Sequence, residues 1–360
     1  MQTEDYFSAD YETARGRFRA AASGAGAALY EILLPSLGPR SEALSIDIAW
    51  LGSPQPRRVL LHTTGIHGVE AYTGSAAQLA LLDTPPAPGA DDALILVHVL
   101  NPYGMAWLRR TNENNVDLNR NFLLGGETWS GAPALYAALD PLLNPPSPPA
   151  FDGFSVRAAA AVLRHGFHRV KQAVAEGQYD FPRGLFFGGR ELEPGPRLYL
   201  DWLAQHLKGV DYLFALDLHT GLGGHGTDTV MPEAHVNVTD ASVLGVALRR
   251  SFVDSSGPSV AYIVRGSMGA ALPHALPDTR IDFVLQEIGT YPPLHVLRAL
   301  REENRWHFHG DGGIVHPAKR RLLEALCPAS IEWRQRAVAH ALNLANAAAT
   351  WTFRPNEGAA

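Results

Sequence analysis

Two short segments of the chain carry residue types suited to hydrolytic chemistry. The first, GIHGVE, places His67 and Glu70 three residues apart, a spacing at which an imidazole and a carboxylate can reach one metal ion. The second, NNVDLNRNF, sets the amide of Asn119 beside the guanidinium of Arg120, and such a pair of donors suits a carboxylate or a polarised carbonyl. Metal ligands followed by an anion-binding pair are typical of a metallohydrolase that acts on acidic or C-terminal groups.

A third metal ligand is expected, because catalytic zinc sites use three protein ligands and leave a position for water. His219 follows the apolar run VDYLFALDL, and Asp217 before it is placed to orient the ring. His225 is the alternative, in a Gly-rich stretch that makes it less preorganised, and His62 is a poorer candidate because it lies within a strand. The non-functional interpretation is a turn His, a helix-start Glu stabilised by the helix dipole, and a strand-end His bonded to a loop.

Two further positions could transfer a proton and polarise a carbonyl. Glu287 lies in the apolar run FVLQEIG, where a carboxylate is costly unless it is paired or functional. It is either a general base beside a metal-activated water or the ion-pair partner of Arg265 or Arg280. Arg109 and Arg110 precede the Asn-Arg pair and could stabilise an oxyanion, although one of two adjacent arginines is expected to be a bystander in solvent.

Continuous apolar strands that alternate with helices predict an α/β fold, whose mixed and largely buried sheet is covered by helices on both faces. Because residues 140–153 are Pro-rich but lie between candidate site residues, they predict a loop and not a domain linker. We therefore predict a single domain over residues 1–360, with a core at about 50–310 and terminal helices packed on it. The predicted strands are Arg58–Thr63, Ala93–Leu100, Val210–Leu218, Ser259–Val264 and Ile281–Ile288, and the predicted helices are 11–33, Ala71–Leu82, 155–176, Pro196–Leu207, 239–252, 294–306, 317–326 and 329–351.

Composition limits the possible functions. The chain has 360 residues, 46% of them hydrophobic and 18% charged, which allows a large core. A net charge of −6 without a run of Lys and Arg argues against a nucleic-acid partner. Cys327 is the single cysteine, so no intrachain disulfide can form, and we expect it to be buried. No signal peptide or membrane-spanning run is visible, so we expect a cytoplasmic protein without a membrane partner.

The order of these motifs resembles the zinc carboxypeptidase superfamily, the carboxypeptidase A-like metallopeptidases. The resemblance rests on HxxE at 67–70, then RTNENNVDLNRNF at 110–122, then His219 and Glu287. Within that superfamily the chain is most similar to an uncharacterised bacterial branch related to succinylglutamate desuccinylase and aspartoacylase. The resemblance covers about residues 50–295, and the run from Asp117 to Phe122 is its most specific part.

The resemblance implies a role for each matching residue. The peptidases also carry a mobile tyrosine that contacts substrate, for which Tyr262 and Tyr291 are the candidates, although neither lies in a matching motif. By position, His67, Glu70 and His219 would bind one Zn²⁺ ion per chain. Glu287 would be the general base, and Arg110, with Arg109 beside it, would polarise the carbonyl. Asn119 and Arg120 would hold the substrate carboxylate.

We therefore expect a zinc hydrolase that cleaves an amide bond beside a carboxylate, in a peptide or a small molecule. A carboxypeptidase-like reaction is favoured, and deacylation of an N-acyl amino acid is the alternative. An open groove would favour the peptidase, whereas a small closed pocket would favour the deacylase. A non-catalytic, metal-free binding module is a lesser alternative, and the sequence carries no information on the oligomeric state.

Overall fold

Seven strands form one mixed sheet in the computed structural model, which describes residues 2–233, 235–252 and 264–354. In spatial order the strands are β1 (Ala28–Leu37), β2 (Ala43–Gly52), β4 (Asp92–His98), β3 (Arg58–Thr64), β5 (Tyr212–Gly221), β7 (Arg280–Gly289) and β6 (Asp228–Pro232). The central strands β4, β3, β5 and β7 are parallel, whereas β2 and β6 run antiparallel to them and β1 pairs antiparallel with β2. The carboxyl ends of the four parallel strands therefore lie at one edge of the sheet, where α/β proteins place their sites.

Helices cover both faces of this sheet. None of the helices within the described residues is both long and apolar enough to span a membrane. In chain order they are α1 (Tyr11–Gly24), α2 (Ala71–Asp83), α3 (Pro102–Ala106), α4 (Ala134–Leu143), α5 (Phe154–His165), α6 (Phe167–Ala175), α7 (Pro194–His206), α8 (Ala241–Leu248), α9 (Met268–Ala275), α10 (Pro293–His309), α11 (Pro317–Leu326) and α12 (Ile331–Thr352).

Alternation along the central strands divides the core into two layers. On β3, Leu61 belongs to the cluster that includes Leu203 of α7, whereas Leu60 belongs to the cluster that includes Phe18 of α1 and Leu344 of α12. Successive side chains of a strand point to opposite faces, so a strand covered on both sides carries apolar side chains on both faces. The predicted α/β class, with a mixed sheet buried between helices, is confirmed.

The prediction of one helix over residues 11–33 is wrong. Helix α1 ends at Gly24, and the edge strand β1 begins at Ala28. Gly26 has a φ of 80°, which favours glycine and ends the helical path. Alanine-rich sequence has high helix propensity, but burial on alternate residues of β1 decides for a strand. The sheet therefore begins well before residue 50, where we expected the core to start.

Other predicted boundaries also change. The helix predicted at 155–176 is two helices, α5 and α6, separated by Gly166, and α4 enters the predicted 140–153 loop as far as Leu143. Strands β1, β2 and β6 and helices α3, α4 and α9 were not predicted. Residues 259–263 of the predicted strand Ser259–Val264, including Tyr262, lie outside the described residues.

We expect Leu61→Ala to lower the free energy of unfolding by about 2–5 kcal/mol, because it opens a cavity in a fully buried layer of the core. The matched control is Leu33→Ala on the edge strand β1, where the side chain is 60% exposed and the expected change is within about 0.5 kcal/mol. Urea unfolding of both variants measures this difference. Equal losses would contradict the position of β3 at the centre of the sheet.

Candidate active site

The candidate residues converge at the carboxyl edge of the sheet. After β3, the chain turns at Gly65, whose φ is 71° and where a Cβ atom would lie 2.7 Å from that of Val99. Glycine is required there, and the turn brings His67 to the start of a short 3₁₀ segment that ends at Glu70. His219 lies near the end of β5 and is the register partner of Glu287 on β7, so these two side chains project side by side from one face of the sheet.

Three side chains form a group that could hold a metal ion. Ligand atoms of His67, Glu70 and His219 lie within 4.8 Å of one another, and each residue is buried. Nδ1 of His67 is 3.0 Å from Oε1 of Glu70, and Nδ1 of His219 is 3.5 Å from Oε2. Nδ1 of His67 is buried and has no hydrogen-bond partner among the described residues. Because buried polar atoms are nearly always partnered, an orphaned imidazole nitrogen facing a carboxylate fits a shared cation.

A second carboxylate stands behind each imidazole. Nε2 of His67 lies 3.1 Å from Oδ1 of Asp117, and Nε2 of His219 lies 2.6 Å from Oδ2 of Asp217. A ring that donates from Nε2 presents an unprotonated Nδ1 on its other side, so the contact with Asp217 selects, in the neutral ring of His219, the tautomer that a metal ligand requires. Nε2 of His67 also lies 2.7 Å from Nη2 of Arg110, a group that only donates, so Asp117 orients this ring without alone selecting its tautomer. The expected contact between Asp217 and His219 is confirmed. The role of Asp117 was not predicted, although this residue lies within the NNVDLNRNF segment.

The electrostatics of this group oppose the usual effect of burial. Burial alone would raise the pKa of Glu70, but His67, His219 and Arg110 together lower it, so the carboxylate stays ionised. Burial would likewise lower the pKa of His219, but Asp217 and Glu70 raise it well above its ordinary value. The cluster therefore has the character of an anionic site that attracts positive charge.

Glu287 lies beside this group in a different environment. Its side chain is 8% exposed, and Oε1 accepts a hydrogen bond from the backbone N–H of Leu222 at 2.7 Å. Burial, with a contribution from Glu70, raises the pKa of Glu287 to about 7. The alternative ion pairs are not formed: Arg265 donates to the Ser130 carbonyl at 3.0 Å, and Arg280 lies at the opposite end of β7. A carboxyl group with this pKa can exchange protons near neutrality.

The two adjacent arginines point in different directions. Arg110 donates from Nε to Asp117 at 2.9 Å and from Nη1 to Glu70 at 3.0 Å, so it belongs to the cluster. Arg109 is buried elsewhere, where its Nε donates to Glu303 of α10 at 3.0 Å. The sequence predicted one bystander in solvent. The residue outside the site is Arg109, but it is part of the core and not of the surface.

The predicted anion-binding pair lines the same cleft. Nε of Arg120 donates to the Ala175 carbonyl at 3.0 Å and Nη1 to the Asn119 carbonyl at 2.8 Å, while Oδ1 of Asn119 accepts from the N–H of Met268 at 3.1 Å. These bonds fix both side chains at the cleft. Tyr291 instead donates to Glu324 of α11 at 2.6 Å and is not among the described residues that line the cleft.

The two alternative ligand candidates, His225 and His62, lie apart from the group formed by His67, Glu70 and His219. Nδ1 of His225 contacts the carbonyl of Thr290 at 2.7 Å, and His62 of β3 contacts Gln78 of α2 at 3.3 Å. Burial lowers the pKa of His62 to about 4, which is the behaviour of a neutral core histidine. The choice of His219 over both alternatives therefore agrees with the geometry.

A cleft of about 910 Å³ opens over these groups. Its polar lining is concentrated at the strand ends, whereas helices supply an extensive apolar wall. Such a combination of apolar walls with a few convergent polar groups is usual for small-molecule sites. The residues that carry the candidate chemistry and line the cleft are His67, Glu70, Arg110, Asn119, Arg120, His219 and Glu287.

Comparison with solved structures finds similar chains among peptidases and amidohydrolases. A carboxypeptidase A from Helicoverpa armigera is 14% identical with a TM-score of 0.46, and the match covers 89% of this chain and 75% of that one. The murein-tripeptide amidase MpaA from Escherichia coli O157 is 18% identical with a TM-score of 0.37, covering 76% and 90% respectively. A succinylglutamate desuccinylase from Silicibacter sp. TM1040 is 15% identical with a TM-score of 0.34, covering 77% and 64%.

These are the groups of proteins that the order of motifs resembles. No curated protein matches the sequence. A family profile described as "Protein of unknown function (DUF2817)" matches residues 7–340, and the chain therefore belongs to that family.

Proposed function

We propose that this chain is a zinc-dependent hydrolase that cleaves an amide bond beside a carboxylate. The observation that carries the proposal is the buried convergence of His67, Glu70 and His219, with the orphaned Nδ1 of His67 directed at a carboxylate oxygen. Two imidazoles and one carboxylate are the donor set of catalytic zinc sites in peptidases, which keep the remaining position for water. When bound, the ion would supply Lewis acidity and would lower the pKa of a water molecule.

Residues of the chain itself would transfer the proton, stabilise the oxyanion and bind the substrate carboxylate. Glu287, with a pKa of about 7, accepts the proton of the attacking water and returns it to the leaving amine. Arg110, at the edge of the ligand group, places positive charge where the oxyanion develops. Asn119 and Arg120, oriented by their backbone contacts, hold the substrate carboxylate. Removal of a C-terminal residue and deacylation of an N-acyl amino acid both use this arrangement.

A binding module without catalysis is the less favoured function. It would have no use for a protonatable carboxylate beside the ligand group, because burying Glu287 without an ion pair is costly. The register pairing of Glu287 with His219, one of the proposed metal ligands, supports a position for that carboxylate beside the ion, as a general base requires.

We expect protein purified without chelator to contain about one divalent ion per chain, measured by elemental analysis. His67→Ala should abolish this content, and Asp117→Asn should weaken metal affinity about 10- to 100-fold because the ring of His67 loses its orienting carboxylate. His225→Ala is the matched control, since that ring contacts a backbone carbonyl outside the group. Wild-type metal content in His67→Ala would refute the site.

Glu287→Gln should keep the metal but lower kcat by about 10²–10⁴, because the isosteric amide cannot accept a proton. Hydrolysis of two substrate panels, C-terminal peptides and N-acyl amino acids, measures the effect. Glu324→Gln is the control, since Glu324 contacts Tyr291 away from the cleft lining and its loss should leave turnover close to wild type. Near wild-type turnover in metal-replete Glu287→Gln would remove this residue from the mechanism.

A further inference from the structure

We infer that the cleft is built for a long, unbranched acyl chain, which makes the substrate an N-acyl amino acid with an aliphatic tail. This inference rests on the proposed function and identifies the substrate class of the same site. It selects deacylation over removal of a C-terminal residue, the other reaction that this chemistry allows. Size alone would favour the peptidase, because a cleft of about 910 Å³ is not the small closed pocket expected of a deacylase, but a long acyl chain needs both a large space and an apolar wall. Three features of the cleft support it: the composition of one wall, the position of the charged groups, and the size of the space.

Helices α4, α5, α6 and α10 form the apolar wall. Of the described residues that these four helices contribute to the lining, Lys171 alone carries a charge. Several of the others, such as Phe154, are also part of the apolar cluster that joins these helices to α11. Representative wall residues, at least one from each helix, are Leu142, Phe154, Val162, Val170, Leu297 and Leu300.

Such a wall suits a polymethylene chain better than a peptide. An extended peptide carries one N–H and one C=O per residue, spaced about 3.3–3.6 Å along the chain. Each of these groups needs a partner when it leaves water. Backbone groups inside a helix bond to one another, apart from those of its first and last turns, and the side chains of the wall are almost entirely apolar. The wall therefore offers few hydrogen-bond partners to a peptide. A hydrocarbon chain needs no partner and gains from burial.

Apart from Lys171 and Glu233, the charged groups that line the cleft belong to the candidate site, where the head of such a molecule would lie. Asn119 and Arg120 line the cleft near the metal-ligand group, and Arg110 is bonded to Glu70 within that group. The carboxylate of an N-acyl amino acid can therefore meet Arg120 while its amide lies beside Glu70. Glu233 follows β6 directly and lines the cleft outside the four-helix wall. Its carboxylate accepts a hydrogen bond from the Ser267 hydroxyl at 2.6 Å.

The space exceeds what a short acyl group requires. A volume of about 910 Å³ is near the upper end of the roughly 300–1,000 Å³ found for small-molecule sites. Part of this space exists because α5 presents the small side chains of Ala158 and Ala161 to the cleft. An acetyl or succinyl group would leave the apolar wall in contact with water.

The first test measures kcat/KM for one amino acid acylated with unbranched chains from acetyl to hexadecanoyl. While the chain stays within the cleft, each added methylene should raise kcat/KM about fourfold, the factor that corresponds to about 0.8 kcal/mol per buried CH₂. A plateau should mark the end of the wall. A dependence that is flat from acetyl onwards would overturn the inference, as would faster hydrolysis of apolar C-terminal peptides than of any N-acyl amino acid.

The second test narrows the cleft. Ala161→Trp should lower the ratio of kcat/KM for hexadecanoyl over acetyl substrates by about tenfold or more, equivalent to two or more methylenes that leave the wall. Ala160→Trp is the matched control, because Ala160 is its exposed neighbour on the same helix and does not line the cleft. An unchanged ratio in Ala161→Trp, or an equal change in both variants, would contradict the assignment of the wall.

A binding measurement separates this inference from the proposed function. If no amide is hydrolysed, the proposed function fails, but titration calorimetry with hexadecanoate still tests the wall. Binding that Ala161→Trp weakens and Ala160→Trp leaves unchanged would support a chain-binding cleft without the proposed chemistry. Absence of hexadecanoate binding to the unsubstituted chain would overturn the inference, whatever its activity.

Discussion

The burial of Glu70 between two imidazoles is the interaction on which the rest of the site depends. Burying an ionised carboxylate is costly unless charge and hydrogen bonds compensate it. Three buried carboxylates form these contacts here. Glu70 and Asp117 both contact the guanidinium of Arg110, and Glu70 lies against both rings. Asp117 contacts the ring of His67, and Asp217 contacts the ring of His219. With neutral rings the cluster keeps an excess of negative charge, which a divalent cation would balance. The same excess explains why the pKa of His219 is raised.

The sheet supplies the rigidity that this cluster needs. His219 and Glu287 are adjacent because β5 and β7 pair in parallel with a register that continues from Tyr212 to Gly221. A slip of one residue would turn Glu287 to the opposite face, away from the cleft. The register is held by apolar residues on both faces of the strands, such as Leu216 and Val284 on one side. Core packing away from the site therefore determines whether the carboxylate of Glu287 lies beside the imidazole of His219.

The sequence predicted those parts of the structure whose signals are local. Strands β3, β4, β5 and β7 each contain a run of consecutive apolar residues because helices cover both faces, and these runs identify them as buried strands. His67, His219 and Glu287 were recognisable because burying an ionisable side chain at the end of such a strand costs free energy unless the group is paired or functional. Strand β1 was mistaken for helix, since its edge position leaves a mixed pattern after an alanine-rich segment.

Signals that depend on distant partners could not be predicted. Arg109 and Arg110 are adjacent and chemically identical, and only the packing of α10, which brings Glu303 to Arg109, separates them. Asp117 belongs to a run whose neighbours suggest anion binding, yet its partner His67 is 50 residues away along the chain. Tertiary contacts, not residue type, assign these roles.

The substrate preference that the apolar wall implies also depends on tertiary contacts and could not be predicted from the sequence. The alanines of α5 predict a helix from propensity alone, and nothing in their sequence distinguishes a face that packs from a face that leaves space. In the structure, Ala158 and Ala161 line the same cleft as the leucines of α10. Larger side chains there would fill the space and would join the core between these helices. The chemistry is thus fixed by polar residues at strand ends, whereas the choice of substrate depends on how little volume a neighbouring helix occupies.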